Sequence, residues 1–403
     1  MAEELGDGSV IAHARRRSPS RLWTWAACVV AGAVGFGLVY ANTVLGQVAG
    51  EITTIDNKSL ISEIPEPEPT VSPTGNDEIP DPAAGNAINI LLMGSDQRDG
   101  ENGKIGGKVA AGMRNDTTII MHIAADRSRV DLVSIPRDAQ VQIADCQLFD
   151  GTTVKGWKGD FNIAFSNGGK KGNPAEASAC VINTIQKMSK LKIHHWVVVD
   201  FAGFQDMVDA IGGVPMCIPE KIVSKKARLN LKPGPQVLNG KQALGLARMR
   251  TAEVGDVSGS DLQRIARQQQ LLRQVARVVL SKNILTDAGE LTQFLKATAA
   301  SLTMDPELAD TRRMIGLGFS LRNLDPADVQ FYTVPWKYTD DYMDVLLTKD
   351  AKTMWKQLRN DKPLTAFGDN SAGKTWDKVI DKSPKPVDPD KDPTKALLDE
   401  CKV

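Results

Sequence analysis

The sequence predicts a layered α/β domain, with helices packed around a mixed β-sheet. Two observations carry this. A continuous apolar run at 88–93 (INILLM) reads as a buried strand, and 130–135 (VDLVSI), closed by Pro136, as another. Stretches at 175–190 and 201–211 instead space their apolar residues as helices do. Strands interleaved with helices in one chain bury their apolar faces best as layers.

The 403 residues allow one large domain or two ordinary ones, and an apolar fraction of 42% is enough for a sizeable core. Lys+Arg and Asp+Glu are equal at 49 each, which argues against nucleic acid as a partner held by bulk charge. Five cysteines are too few for a disulfide scaffold. No CxxC or HExxH occurs, so a zinc site is not expected, and the adjacent His194 and His195 read as strand-edge surface.

Taken in order, residues 1–21 are polar, with Arg15, Arg16, Arg17 and Arg21 towards their end. No charge occurs from 22 to 50, and 22–41 alone reaches the ~20 residues that cross a bilayer. Trp23, Trp25 and Tyr40 suit the two interfaces. The expectation is a cytoplasmic tail over 1–21 and a transmembrane anchor over 22–45, with everything after it outside. A cleaved signal peptide ending near 39–41 (VYA) is the rival; the length of the span favours an anchor. Residues 46–86 read as a Pro-rich extracellular linker, with Pro65, Pro67, Pro69, Pro73, Pro80 and Pro82 among acidic and small residues.

The strand at 88–93 stops at Gly94-Ser95-Asp96-Gln97-Arg98, and a glycine-rich loop runs to 113. Arg114-Asn115-Asp116 opens a strand at 117–124, and Pro136-Arg137-Asp138 closes the one at 130–135. One Asp/Arg pair at a strand end is ordinary surface or loop capping. Three at the ends of consecutive buried strands point to a site at the sheet edge. Helices follow at 175–190 and, after a strand at 195–201, at 201–211, where Gly212-Gly213 ends the second. Residues 214–218 are extended and 220–239 irregular; Asn239 then caps a short helix. Helices are expected near 289–301, 306–321 and 351–359, with a late strand at 329–334. Residues 361–403 are Lys/Asp/Pro-rich and read as a disordered tail.

The stretch 243–270 concentrates the chemistry. Arg248 and Arg250 lie two apart, so in extended backbone they share a face. Ser260 caps a helix on which Arg264, Arg267 and Gln268 stand at i, i+3 and i+4. The bland reading is a solvated arginine face. The sharper one is convergence of two arginine pairs on a compact anion, which the planar guanidinium grips bidentately.

Seven blocks, in order, carry a resemblance: NILLMGSDQR, RNDTTIIMHI, VDLVSIPRD, FNIAFSNGG, VDFAGFQDMVDAIGGV, LNGKQALGLARMR and DLQRIARQQ. Over 87–336 the sequence resembles the LytR-CpsA-Psr family of cell-wall glycopolymer ligases, of the actinobacterial type. The resemblance implies a three-layer α/β/α catalytic domain over 87–360, outside the membrane. It implies a phosphotransferase that moves a glycan from a polyprenyl-pyrophosphate carrier onto peptidoglycan, forming a phosphodiester at a muramic acid 6-hydroxyl. It also implies Mg²⁺, or Mn²⁺ in its place. Matched to the family's motifs, Asp96 and Asp116 hold the metal, and Asp96 is the candidate base. Arg98, Arg114 and Arg137 complete the catalytic set, and Arg248, Arg250, Arg264, Arg267 and Gln268 bind pyrophosphate. The prenyl tail needs an apolar groove, for which Phe201, Phe204, Val208, Leu271, Leu272 and Val275 are candidates, with Ile211; the same spacing reads equally as core packing. A pyrophosphatase acting on the same lipid, or a non-catalytic regulator that binds the intermediate, are the competing functions.

The sequence departs from the family at two places. Asp160 stands where relatives often carry a lysine, and Pro235 stands about where many actinobacterial members place the partner of Cys217. The sequence alone does not fix the disulfides. With that partner absent, the expectation is Cys146 with Cys180, Cys217 as a buried free thiol and Cys401 in the tail.

Overall fold

The structure, a computed structural model, describes residues 52–65, 81, 83–96, 113–255, 261–281, 294, 296, 299, 302–340, 344–365, 398 and 401. All of them belong to one compact unit spanning 47–403. Its centre is a seven-stranded mixed sheet. In chain order the strands are β1 (Thr53–Thr54), β2 (Ile88–Ser95), β3 (Asn115–Ile123), β4 (Val130–Ile135), β5 (His195–Val199), β6 (Leu302–Met304) and β7 (Val329–Thr333). Across the sheet they run β1-β6-β5-β2-β3-β4-β7. Three pairings are parallel (β1 with β6, β5 with β2, β4 with β7) and three antiparallel.

The helices are α1 (Ile163–Gly168), α2 (Pro174–Ser189), α3 (Phe201–Ala210), α4 (Gly240–Arg248), α5 (Asp261–Ser281), α6 (Thr311–Ser320) and α7 (Lys349–Arg359). Because side chains alternate along a strand, each strand feeds two cores. Leu91 and Met93 face a core with Phe165 of α1, Ile182 and Ile185 of α2 and Trp355 of α7. Ile88 and Ile90 face the other, with Leu272 and Ala276 of α5 and Leu317 of α6. Both faces are covered, so β4 is buried at all six positions, Asp131 and Ser134 included.

Local chemistry sets the helix ends. Asn173 accepts from the Ala175 and Glu176 amides before Pro174 opens α2, and Lys190 in the left-handed region (φ 56°) closes it. Asp200 accepts from the Gly203 amide at the start of α3. Asn239 and Gln242 form a capping box at α4.

Several expectations need correction. Residues 52–65 are not linker. Thr53–Thr54 pairs with β6; Asn57 is buried and donates to the Ala175 carbonyl and Ser178 Oγ, both at 2.8 Å, while Trp196 Nε1 donates to its Oδ1 at 3.0 Å. A prolyl, acidic neighbourhood hid a short segment with its own buried anchors, Ile52 and Leu60. The tail is not wholly loose either: Leu364 is buried, and Asp361 accepts from the Ala125 amide and from Arg129 Nη2, each at 2.9 Å. Cys146 bonds Cys180 as expected, but Cys217 bonds Cys401 and is no free thiol. His194 and His195 do stand at the start of a strand, but β5 lies between β6 and β2 and both residues are half-buried rather than surface. Residues 220–239, expected to be irregular, hold three short strands: Ile222–Ser224 pairs with Leu229–Leu231, and Gly234–Leu238 with Val214–Ile218, which is extended as expected. The expected span at 22–45 and nearly all of the helix near 289–301 lie outside the described residues. Among the described residues no helix is long and apolar enough to cross a membrane.

Candidate active site

The ends of β2, β3 and β4, the C-terminus of α4 and the first turns of α5 meet at one end of the sheet. β2 and β3 pair regularly until Gly94 opposite Thr117; the next pair is Ser95 opposite Asn115. Asp116 is therefore the extra residue of a β-bulge, a device that re-aims a side chain. Its carboxylate lines a polar cavity of about 550 Å³ together with Asp96, Arg114, Arg137, Arg248 and Arg250.

Inside that cavity Arg137 Nη1 donates to Asp116 Oδ1 at 2.6 Å and Arg250 Nη2 donates to the same oxygen at 3.1 Å. Arg264 Nη2 donates to the Asp116 carbonyl at 3.4 Å. Burial alone would raise the Asp116 pKa; the charges of Arg264, Arg250 and Arg137 outweigh it and hold the carboxyl below its ordinary range. Asp96 Oδ1 accepts from the Arg114 amide at 2.8 Å, and the Asp96 amide donates to the Arg114 carbonyl at 3.0 Å. The capping reading of Asp96 is thus true of one oxygen, and the residue lines the cavity as well.

An apolar cavity of about 350 Å³ adjoins it and shares Asp96, Asp116, Phe201 and Arg248 as common wall. Phe204, Leu271, Leu272 and Val275 line it as the sequence suggested. Val208 and Ile211 do not: they are buried in packing, at 0% and 2% exposure. The reading missed Met207 and Leu244, which sit on the facing sides of α3 and α4, and the strand residues Val197 and Val199. Alternate positions on β5 were the available signal. α3 and α4 approach with backbone at contact, since a Cβ on Gly240 would lie 2.2 Å from the Gln205 carbonyl oxygen.

The arginines occupy different layers. Arg248 lines both cavities, its guanidinium carbon 3.9 Å from the centroid of the Phe201 ring. Arg264 and Gln268 line the apolar cavity at its polar end. Gln268 Nε2 donates to the Ala247 carbonyl at 3.1 Å. Arg267 lines neither cavity. It is fully buried, its Nη2 donates to the Met249 carbonyl, and its Nε and Nη1 have no hydrogen-bond partner among the described residues. Burial, then the Arg264 charge, push its pKa down to about 10, which leaves it charged at neutral pH. Arg98 lies outside the described residues. Asn162, Ile163 and Ser166 complete the polar wall; the FNIAFSNGG block was the signal for them, unused as a site.

The family profile described as LytR_cpsA_psr matches residues 51–360. The chain belongs to this family. Among curated LytR_cpsA_psr relatives, the cell wall biosynthesis protein LcpA of Corynebacterium glutamicum is 27% identical over 67% of this chain and 54% of its own length. The polyisoprenyl-teichoic acid–peptidoglycan teichoic acid transferase TagU of Oceanobacillus iheyensis is 31% identical over 52% of this chain and 57% of its own. The chain thus spans little more than half the length of these relatives. The crystal structure of gbs0355 from Streptococcus agalactiae superposes with a TM-score of 0.54 at 18% identity, over 69% of this chain and 89% of that one, a likeness of fold.

Proposed function

We propose that this LytR_cpsA_psr protein transfers a glycopolymer from a polyprenyl-pyrophosphate carrier to peptidoglycan, as a phosphodiester on a muramic acid 6-hydroxyl. One observation carries the reading: a cavity walled by arginines adjoins an apolar one, and Arg248 and Asp116 line both. A lipid pyrophosphate has the same two halves in the same order. The name of the TagU relative, with its polyisoprenyl donor and peptidoglycan acceptor, agrees. We also propose the membrane anchor at 22–45, with the N-terminus inside the cell, from the uncharged run and the arginines before it.

Two carboxylates facing one cavity are the oxygen donors that Mg²⁺ or Mn²⁺ takes beside phosphate oxygens and water. The low pKa of Asp116 keeps it ionised for that role. Asp96 and Asp116 would hold the ion, which when bound supplies charge neutralisation at the phosphates. The protein's own part is positioning and electrostatics. Arg137 and Arg250, already fixed on Asp116, are set to receive phosphate oxygens without reorganising. Arg248 and Arg264 hold the junction between pyrophosphate and tail. The acceptor oxygen bonds to the sugar-side phosphorus, the bond from that phosphorus to the bridging oxygen breaks, and lipid monophosphate leaves. The acceptor's proton passes to Asp96.

The test is to incubate the full-length protein with a synthetic polyprenyl-pyrophosphoryl sugar, Mg²⁺ and a peptidoglycan oligomer, and to identify the products by mass spectrometry. The expected product is the oligomer heavier by one sugar phosphate. Sugar phosphate released to water alone would make the protein a pyrophosphatase, and bound but unchanged donor would make it a binding protein.

A further inference from the structure

The two cavities leave one strongly charged surface unused. Residues 221–232 hold Lys221, Lys225, Lys226, Arg228 and Lys232 and no acid, in a chain of zero net charge. Ile222–Ser224 pairs with Leu229–Leu231, with Val223 opposite Asn230. Ile222, Ser224, Leu229 and Leu231 are buried, so alternation turns Val223 and Asn230 outward, with Lys221 and Lys232 one step on along the same face. At the other end of the ribbon, Lys225, Lys226 and Arg228 are the exposed corners of its turn, which the Arg228 amide closes on the Lys225 carbonyl at 3.2 Å. Val254 bridges Val223 beside them and is 44% exposed. Glu220 and Glu253 are the neighbouring acids, and the Glu253 carboxylate accepts from the Lys225 amide at 2.9 Å. None of the five cations forms an ion pair among the described residues. The buried face packs on α4: a Cβ on Gly245 would sit 3.0 Å from the Ala227 carbonyl oxygen and 3.3 Å from Leu229 Cδ1. Another face of α4, with Leu244, Ala247 and Arg248, lines the apolar cavity.

We propose that this ribbon is the seat of the domain on the membrane, its cations on anionic phospholipid headgroups and its two valines at the headgroup boundary. The proposal rests on the anchor and lipid-carrier readings above. A solvated basic face is the plain alternative, and three observations favour lipid. Like charges crowded on one small ribbon repel and do not help it fold, whereas an anionic bilayer strengthens attachment about fivefold for each Lys or Arg brought to it. Exposed Val223 and Val254 among the cations suit an interface that is charged outside and apolar within. The third observation is placement. Gly94 stands opposite Val199, and Val199 opposite Leu302, so Leu302 is at the site end of the sheet. β1 begins at that end, with Thr53 beside Thr303. Residues 46–51, between the proposed anchor and Ile52, reach at most about 25 Å. The chain therefore enters the domain at the end of the sheet that holds the site. The ribbon belongs to this end too: Arg250 reaches Asp116 in the polar cavity, and Val254 just beyond it bridges Val223. An anchored chain keeps site and ribbon close to one bilayer surface, the surface from which a prenyl-linked donor must come.

The test places the full-length protein in nanodiscs of phosphatidylcholine alone, or of phosphatidylcholine mixed equally with phosphatidylglycerol, without donor or acceptor. A brief pulse of amine-reactive label is read residue by residue by mass spectrometry. Lys221, Lys225, Lys226 and Lys232 are expected to label at least about fivefold more slowly in the anionic discs, and raised salt should restore their rates. Lys190, exposed where α2 ends ahead of β5 at the other end of the sheet, should label equally in both. Equal labelling of the ribbon in the two discs would overturn the proposal, as would a matching fall at Lys190, which marks general adsorption. Ribbon lysines that ignore phosphatidylglycerol but slow on adding a soluble anionic glycan would assign the face to a glycan and overturn it too. Joint Lys225→Glu and Arg228→Glu substitution should return Lys221 and Lys232 to their phosphatidylcholine rates; if that variant does not fold, the wild-type comparison already decides. The readings fail separately. Protein that stays outside the discs sinks the anchor and this seat with it; protein that enters with its ribbon labelled equally sinks the seat alone. Slowed labelling by a protein that makes no product in the transfer assay sinks the transfer reading and leaves the seat standing.

Discussion

Arg267 shows how far a single residue can be read. A fully buried guanidinium with Nε and Nη1 unsatisfied and another arginine beside it opposes folding. Such a residue is retained for a charge it will meet. At an effective dielectric near 20, unit charges ~10 Å apart interact by roughly 1.7 kcal/mol, so a guanidinium one layer behind the wall is worth about a decade in anion affinity. Arg267→Met should therefore raise the melting temperature while weakening lipid-pyrophosphate binding about tenfold. A lower melting temperature with wild-type affinity would make Arg267 only a prop for the Met249 carbonyl. Asp116 should behave in the opposite sense. Its depressed pKa means that it contributes stability above the ordinary carboxylate value of 3.8 and loses it as pH falls through the depressed one. Wild type and Asp116→Asn should converge in melting temperature as a titration descends below that value. At neutral pH the asparagine variant should lose metal-dependent turnover yet keep the lipid, because the arginines remain.

At the scale of elements, legibility followed length. β4 was read to the residue because four aliphatic residues in six mark its length and Pro136 closes it. The two- and three-residue strands between 140 and 160 carry too few side chains for any period, so the ribbons they form were invisible. The pair Val214–Ile218 with Gly234–Leu238 was hidden by Pro233-Gly234-Pro235; a proline is tolerated there because the sheet has only two strands. Pro235 sits directly opposite Cys217 in that ribbon, and Cys217 bonds Cys401 instead. The polar site was legible as motifs, but its depth was not: Arg267 and Arg264 share a helix face in sequence and lie in different layers in space. The Cys146–Cys180 bond closes a separation of 34 residues, for which chain entropy suggests about 3–4 kcal/mol. Replacing both by serine should lower stability by up to that amount in urea unfolding. An unchanged midpoint would show that packing of Leu148 and Val154 holds the segment around Cys146 without the bond.

For the whole molecule, a C-terminal segment fastens the sheet at the β3–β4 turn, the end away from the site. α7 ends and Asp361 turns into the left-handed region at φ 49°. Its carboxylate then accepts from Arg129 Nη2 and the Ala125 amide, each at 2.9 Å, and stands 3.1 Å from His122 Nε2. Arg129 Nε also donates to the buried Asp131 at 2.7 Å, and His122 and Asp131 face each other across β3 and β4. Burial would raise the Asp361 pKa, but His122, the Ala125 amide and Arg129 outweigh it and hold it low. Removing one partner of such a cluster leaves buried charge behind and costs about 3–5 kcal/mol. Beyond it, the Cys217–Cys401 bond spans a separation of 184 residues, worth at most about 5 kcal/mol in chain entropy. The two fasteners can be separated by truncation. A chain ending at Thr365 keeps Asp361 and buried Leu364 but loses Cys401, and should match a Cys401→Ser variant in stability. A chain ending at Asn360 should fall a further ~3–5 kcal/mol, with Asp361→Ala in the full chain losing a similar amount. The measurement is urea unfolding of all four proteins under the same oxidising conditions. Equal midpoints for chains ending at 360 and 365 would show that His122, Arg129 and Asp131 satisfy one another without Asp361.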